Sequence, residues 1–139
     1  MAHLIPSGKA NRRRFGFTLI ELMIVMTIIV ILISVAVPAY QKAIFRAKET
    51  VLRNNLFTIR QAIDEYTYDK QKAPQTLQDL ATERYLQDVP KDPITARNDT
   101  WKLIMEDAGQ AVSQSEPGIF DIRSGSDKIG LDGTRYSEW

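Results

Sequence analysis

The chain contains no cysteine, and its single histidine is His3. The first absence excludes a disulfide brace and a thiol nucleophile. The second leaves too few ligands for a zinc site of the usual nitrogen-and-sulfur kind, and little scope for histidine acid–base chemistry. Charge is also missing over one long stretch, since no Asp, Glu, Lys or Arg occurs from Leu22 to Gln41. Glycine-rich phosphate loops are absent as well. The carboxylates Asp64, Glu65 and Asp69 read as a solvated helix face rather than as the acid–base pair of a membrane-anchored enzyme, so no catalytic residue is assigned.

What is present is concentrated near the N-terminus. Arg12, Arg13 and Arg14 stop abruptly at Phe15-Gly16-Phe17, and an apolar run continues to Val37. A basic segment before an apolar one has the shape of a secretory signal or of a plain membrane anchor. The place for a signal cleavage site reads Ser34-Val-Ala-Val-Pro38, a poor match to the small-x-small pattern. Neither reading accounts for Glu21 at the head of the run. A carboxylate inside a bilayer-length apolar helix costs roughly 3 kcal/mol on insertion scales and calls for a partner or a function.

Gly16-Phe17-Thr18-Leu19-Ile20-Glu21-Leu22 resembles the cleavage and methylation motif of type IV pilins and type II secretion pseudopilins. The resemblance implies that a prepilin peptidase cuts between Gly16 and Phe17 and that the new amino group of Phe17 is N-methylated. It implies that Glu21 pairs with the Phe17 amino group of a neighbouring subunit. The physics agrees, because a carboxylate in a low-dielectric helical core is tolerable only beside a cation of good geometry; such a pair fixes register rather than adding much stability. The implied domains are a basic leader at 1–16, a transmembrane and filament-core helix at 17–41, and a periplasmic head at 42–139 that includes the amphipathic half of the helix. Loss of the leader removes four basic residues and no acid, turning the formal +1 into about −3. A mildly acidic mature chain argues against nucleic acid as its main partner.

Residues 17–41 are long enough, at about 1.5 Å per residue, to cross a bilayer. Pro38 removes a helical hydrogen bond and predicts a kink or local melting near Ser34–Pro38. The arginines place everything after about Lys42 outside the inner membrane, in a single-pass topology. Ile44, Ala47, Val51, Leu52, Leu56, Ile59, Ile63 and Tyr66 form one apolar stripe, with Arg46, Lys48, Glu49, Arg53, Arg60 and Asp64 on the other faces, so the helix continues to about Tyr68. Among these charges, Arg46 or Lys48 and Glu49 are candidates for pairing between subunits. A short helix over Thr76–Leu86 follows, with Thr76 as N-cap and Leu77, Leu80 and Ala81 inward. Thr100–Glu106 reads as a strand with Trp101, Leu103 and Met105 on one face. Gly118–Arg123 reads as another, with Phe120 inward beside Ile119 or Ile122. The expected fold is α+β and pilin-like: a long N-terminal helix packed against a small antiparallel sheet.

The Tyr85-Leu86 pair and the Pro90-Lys-Asp-Pro93 loop before a strand look like the major-pseudopilin branch, general secretion pathway protein G. The chain departs from that branch in Ile94–Asn98 and in the length of the Asp107–Pro117 loop. The implied role is a structural subunit of a homo-oligomeric helical filament, grown from an inner-membrane assembly platform with minor pseudopilins to drive protein export. The alternative is a type IV pilin in adhesion, motility or DNA uptake.

The segment Ser124–Trp139 carries Gly125, Gly130 and Gly133 beside Asp127 and Asp132. Such a loop is either a set of turns or a calcium site drawing on carboxylates, carbonyls and water. Calcium-binding C-terminal loops occur in the resembling pseudopilins, with Asp127 at the matching position. The resemblance therefore implies a calcium ion held by Asp127, Asp132 and the carbonyl of Ser124, with Asp121 and Glu138 as further candidates.

Overall fold

The computed structural model describes residues 16–139. The leader, including His3, Lys9 and Arg12–Arg14, lies outside the described residues except for Gly16. Helix α1 runs from Leu19 to Lys70, α2 from Leu77 to Thr82, strand β1 from Lys102 to Met105 and strand β2 from Ile119 to Arg123; a 3₁₀ turn spans Tyr136–Glu138. The chain divides into two units, one ending at Ala39 and one running from Tyr40 to Trp139.

In the first unit every described side chain is exposed, from Phe17 through Val37. This part of α1 is long and apolar enough to cross a membrane. A helix is the form such a segment must take in lipid, where each backbone polar group has to be satisfied within the segment. Helical conformation is unbroken through Pro38, so the expected local melting does not occur.

In the second unit the outer part of α1 buries Leu52, Leu56, Ile59, Ile63 and Tyr66, successive residues of one stripe at three- and four-residue steps. Ile44, Ala47 and Val51, assigned to the same stripe from the sequence, are exposed instead. The helix ends at Lys70 because Gln71 adopts a left-handed conformation, φ 54°.

Helix α2 begins with a reciprocal capping box. The Thr76 hydroxyl accepts from the Asp79 amide at 3.2 Å, while the Asp79 carboxylate accepts from the Thr76 amide at 2.9 Å. It stops four residues earlier than the expected Leu86. The cause is a Schellman turn at Arg84 (φ 64°), in which the Tyr85 amide donates to Leu80 O and the Arg84 amide to Ala81 O. Arginine rather than glycine occupies the left-handed position, which hid the stop signal. Leu86 and Val89, beyond the turn, still reach the core.

β1 and β2 form a two-stranded antiparallel sheet in which Ile104 faces Asp121 and Met105 faces Ile119. Phe120 is thus left over as the extra residue of a β-bulge. The bulge turns both Ile119 and Ile122 into the core although they are three apart, and leaves Phe120 67% exposed. This corrects the expectation that Phe120 points inward. Trp101 is buried, with its indole N–H donating to Pro90 O at 2.9 Å, whereas Leu103 and Met105 are exposed. Trp101 precedes β1 and is turned in by that bond, so the three do not share one buried face.

Candidate functional site

The motif residues sit where α1 begins. Gly16, Phe17 and Thr18 precede the helix and are exposed, Phe17 to 83%. Thr18 caps the helix, its hydroxyl accepting from the Glu21 amide at 3.2 Å and its carbonyl from the Leu22 amide at 3.1 Å. Thr18 was not singled out from the sequence, although Thr-x-x-Glu is the spacing of an N-terminal cap. Glu21 therefore lies in the first turn of α1, near the positive end of the helix dipole, with its side chain exposed. Among the described residues, nothing lies within 4 Å of where a Cβ at position 16 would stand.

The loop carrying the expected metal ligands holds each of them in contacts of its own. Asp132 caps a turn, its Oδ1 accepting from the Thr134 amide at 2.9 Å and the Thr134 hydroxyl at 2.7 Å, while Arg53 lies 3.6 Å from its Oδ2. Gly133 follows with φ 83°, the left-handed turn position that glycine tolerates. The Thr134 hydrogen bonds hold the Asp132 carboxyl below its ordinary range, with Arg53 adding to this. Asp127 is held low by the Ser137 hydroxyl and then by Lys102, whose ammonium is 3.2 Å away. Ser124 is buried, and its hydroxyl donates to Asp92 Oδ2 at 2.6 Å. Asp121 receives Arg60 Nε at 2.7 Å. Among the described residues, no three His, Cys, Asp or Glu side chains gather as a metal cluster. Asp127 and Asp132 thus each have their own cationic neighbour.

Two buried carboxylates went unrecognised. Asp92, in the Pro-Lys-Asp-Pro loop, is fully buried without a basic partner among the described residues. It accepts from the Ile94 amide at 2.9 Å, the Ser124 hydroxyl and the Gly125 amide at 3.2 Å, tying that loop to the end of β2. Glu49 is 8% exposed, and its Oε1 accepts from the Leu131 amide at 2.6 Å and the Tyr136 hydroxyl at 2.9 Å. It belongs to the head rather than to the outer charged face, which removes it as the surface partner for Arg46 or Lys48. Arg60 completes the fastening of α1, donating to Ile122 O and Trp139 O at 2.9 Å each. Asp64, Glu65 and Asp69 are exposed on α1; Glu65 accepts from Gln61 and Asp69 from the Tyr85 hydroxyl.

Residues 11–37 match the family described as Prokaryotic N-terminal methylation motif. With the apolar helix and the small head, this defines the class: a chain with a prokaryotic methylation signature leading an apolar helix of membrane-crossing length. Type II secretion system core protein G of Aeromonas hydrophila is 30% identical over 128 residues, covering 88% of this chain and 87% of that protein. The chain belongs to the superfamily of type IV pilins and type II secretion pseudopilins, on the branch of core protein G. Core protein G of Pseudomonas aeruginosa is 39% identical over 70 residues, 50% of this chain and 49% of that protein. The type IV major fimbrial protein FimA of Dichelobacter nodosus is 45% identical over 58 residues, 42% of this chain and 36% of that protein. The chain thus spans half or less of the length of these last two relatives. No solved structure matches it.

Proposed function

We propose that this chain is a structural subunit of a type II secretion pseudopilus. Prepilin peptidase cuts it between Gly16 and Phe17, the Phe17 amino group is methylated, and the subunit polymerises from the inner membrane with its head in the periplasm. The observation that carries this reading is the exposed Gly16–Phe17 junction, set four residues before Glu21 at the head of a helix whose apolar side chains are all uncovered as far as Val37. Such a surface is stable only against lipid or other apolar helices, and a filament core supplies the second environment after the membrane supplies the first. The relatives named above are secretion-core and fimbrial proteins rather than enzymes by name. The match to core protein G over most of both chains favours the pseudopilus over a type IV pilus.

Glu21 tests the assembly step. Glu21→Val is expected to insert into the membrane at least as well as the parent chain, because it removes a charge that hydrocarbon opposes. Filament yield, counted by electron microscopy, is expected to fall about tenfold as the Phe17 amino group loses its counter-charge. Filaments at parental yield would remove the pairing from the proposal.

Calcium at the Asp127 loop forms a second part of the proposal. Asp127, the Ser124 carbonyl and Asp132 would hold the ion, together with water. Because the Lys102 ammonium now neighbours Asp127, calcium would have to displace it. Saturating calcium is expected to raise the melting temperature of the full chain in detergent, worth about 2.7 kcal/mol at a hundredfold excess over Kd. Asp127→Ala should abolish that rise. An equal rise in both proteins places the ion elsewhere, and no rise in either removes it.

A further inference from the structure

Within the head, a groove of about 630 Å³ opens between the outer part of α1 and the loop after β1. Ile63, Met105 and Ile119 contribute apolar surface, while Asp64, Glu106 and Asp107 supply three carboxylates, and among the described residues no Lys or Arg lines it. Asp64 has no ion-pair partner among the described residues. The groove is thus apolar, acidic and lacking a counter-charge.

The complementary surface is on the same chain. Residues 40–48 of α1 are exposed on every side, and Lys42, Phe45 and Arg46 share one face at i, i+3 and i+4. Neither Lys42 nor Arg46 makes an ion pair among the described residues. An aromatic ring between two cations is what an apolar groove with an acidic border would receive. We propose that this groove is the docking site for the Lys42–Phe45–Arg46 face of a second copy of the chain. Phe45 covers the apolar surface, and Lys42 and Arg46 meet Asp64, Glu106 and Asp107.

Groove and face lie on different parts of the surface, so the contact is heterologous and repeats from copy to copy instead of closing on itself as an isologous pair does. In parallel copies the two helices are offset by the 18 residues between Arg46 and Asp64, or about 27 Å along the axis. Burying the groove this way also neutralises like charges that otherwise repel one another. The inference rests on the filament reading, which supplies the parallel arrangement.

The absence of cysteine gives a clean background for the test. The full chain carrying Arg46→Cys and Asp64→Cys, assembled in a bacterial membrane with its peptidase, is treated with a bis-maleimide of about 10 Å span. The expected product is a ladder of multimers, whereas neither single variant cross-links through this contact, because equivalent positions in the two copies lie about 27 Å apart along the axis. Independently, Arg46→Asp is expected to lower filament yield about tenfold, and Arg46→Asp combined with Asp64→Arg to restore it. Filaments without a ladder and without restoration overturn the docking site while leaving the filament reading standing. A ladder and charge-dependent multimers without filaments keep the docking site and overturn the filament reading; neither filaments nor ladder overturns both. Cross-linking only to a different polypeptide also overturns the site, because its occupant is then not a second copy.

Discussion

Gly125→Ala is expected to destabilise the head by about 3 kcal/mol or more, lowering its melting temperature by about 12 °C or more. The reason is a close approach of two backbone segments. A Cβ at position 125 would stand 1.9 Å from the Thr100 carbonyl oxygen and 2.8 Å from its carbon. Backbone cannot rotate away as a flexible side chain can, so one segment has to shift. That shift would disturb the Gly125 amide, which donates to buried Asp92. Gly109→Ala is the control: the atom nearest to where its new methyl group would stand is 4.0 Å away, and its melting curve should stay with that of the parent. A Gly125→Ala protein that melts within a degree or two of the parent would show that the Thr100 segment yields freely, against this expectation.

The second large effect belongs to Glu49. Alanine there leaves the buried Tyr136 hydroxyl and the part-buried Leu131 amide without their acceptor, and a buried orphan costs about 1–3 kcal/mol. A loss of about 3 kcal/mol is expected for Glu49→Ala, and a smaller one for Glu49→Gln, which keeps an acceptor oxygen. Chemical denaturation of the full chain in detergent measures both. The same site has a signature in alkali. Burial, and then the Glu49 carboxylate, push the Tyr136 hydroxyl up to about 12 from an ordinary value of 10.0. A phenol raised in this way is favoured neutral by the fold. Its stabilisation is therefore complete below about pH 10 and is lost as pH rises through about 12. Ultraviolet titration of tyrosine should show a late component that Tyr136→Phe removes and Glu49→Ala moves to lower pH. Equal losses for Ala and Gln, or a late component that survives Tyr136→Phe, would rule out the Glu49–Tyr136 bond as the cause.

Glu49 also shows where sequence reading succeeds and where it stops. The periodicity from Leu52 to Tyr66 was legible because apolar residues alone mark that stripe. Extending the same rhythm three residues upstream lands on Glu49, not on Val51 or Ala47, yet polarity argued for solvent. Its partners lie more than 80 residues away, so local pattern could not reveal them. The N-terminal motif was legible for the opposite reason, since its chemistry is contiguous. The β-bulge at Phe120 was not legible, because pairing across the sheet decides it. Nor did the sequence show that Asp132 would serve its own turn, or that Lys102 would lie beside Asp127.

The fastening of α1 bears on how the protein is made. Glu49 and Arg60 are held by groups at positions 121 to 139, which the ribosome adds long after the helix itself. Throughout that interval the stripe from Leu52 to Tyr66 lacks the part of its cover that Ile119, Ile122 and Tyr136 supply. Folding of the head is therefore tied to completion of synthesis rather than to emergence of the helix. A nascent chain stalled before β2 would leave apolar surface of that stripe open to aggregation and to proteolysis.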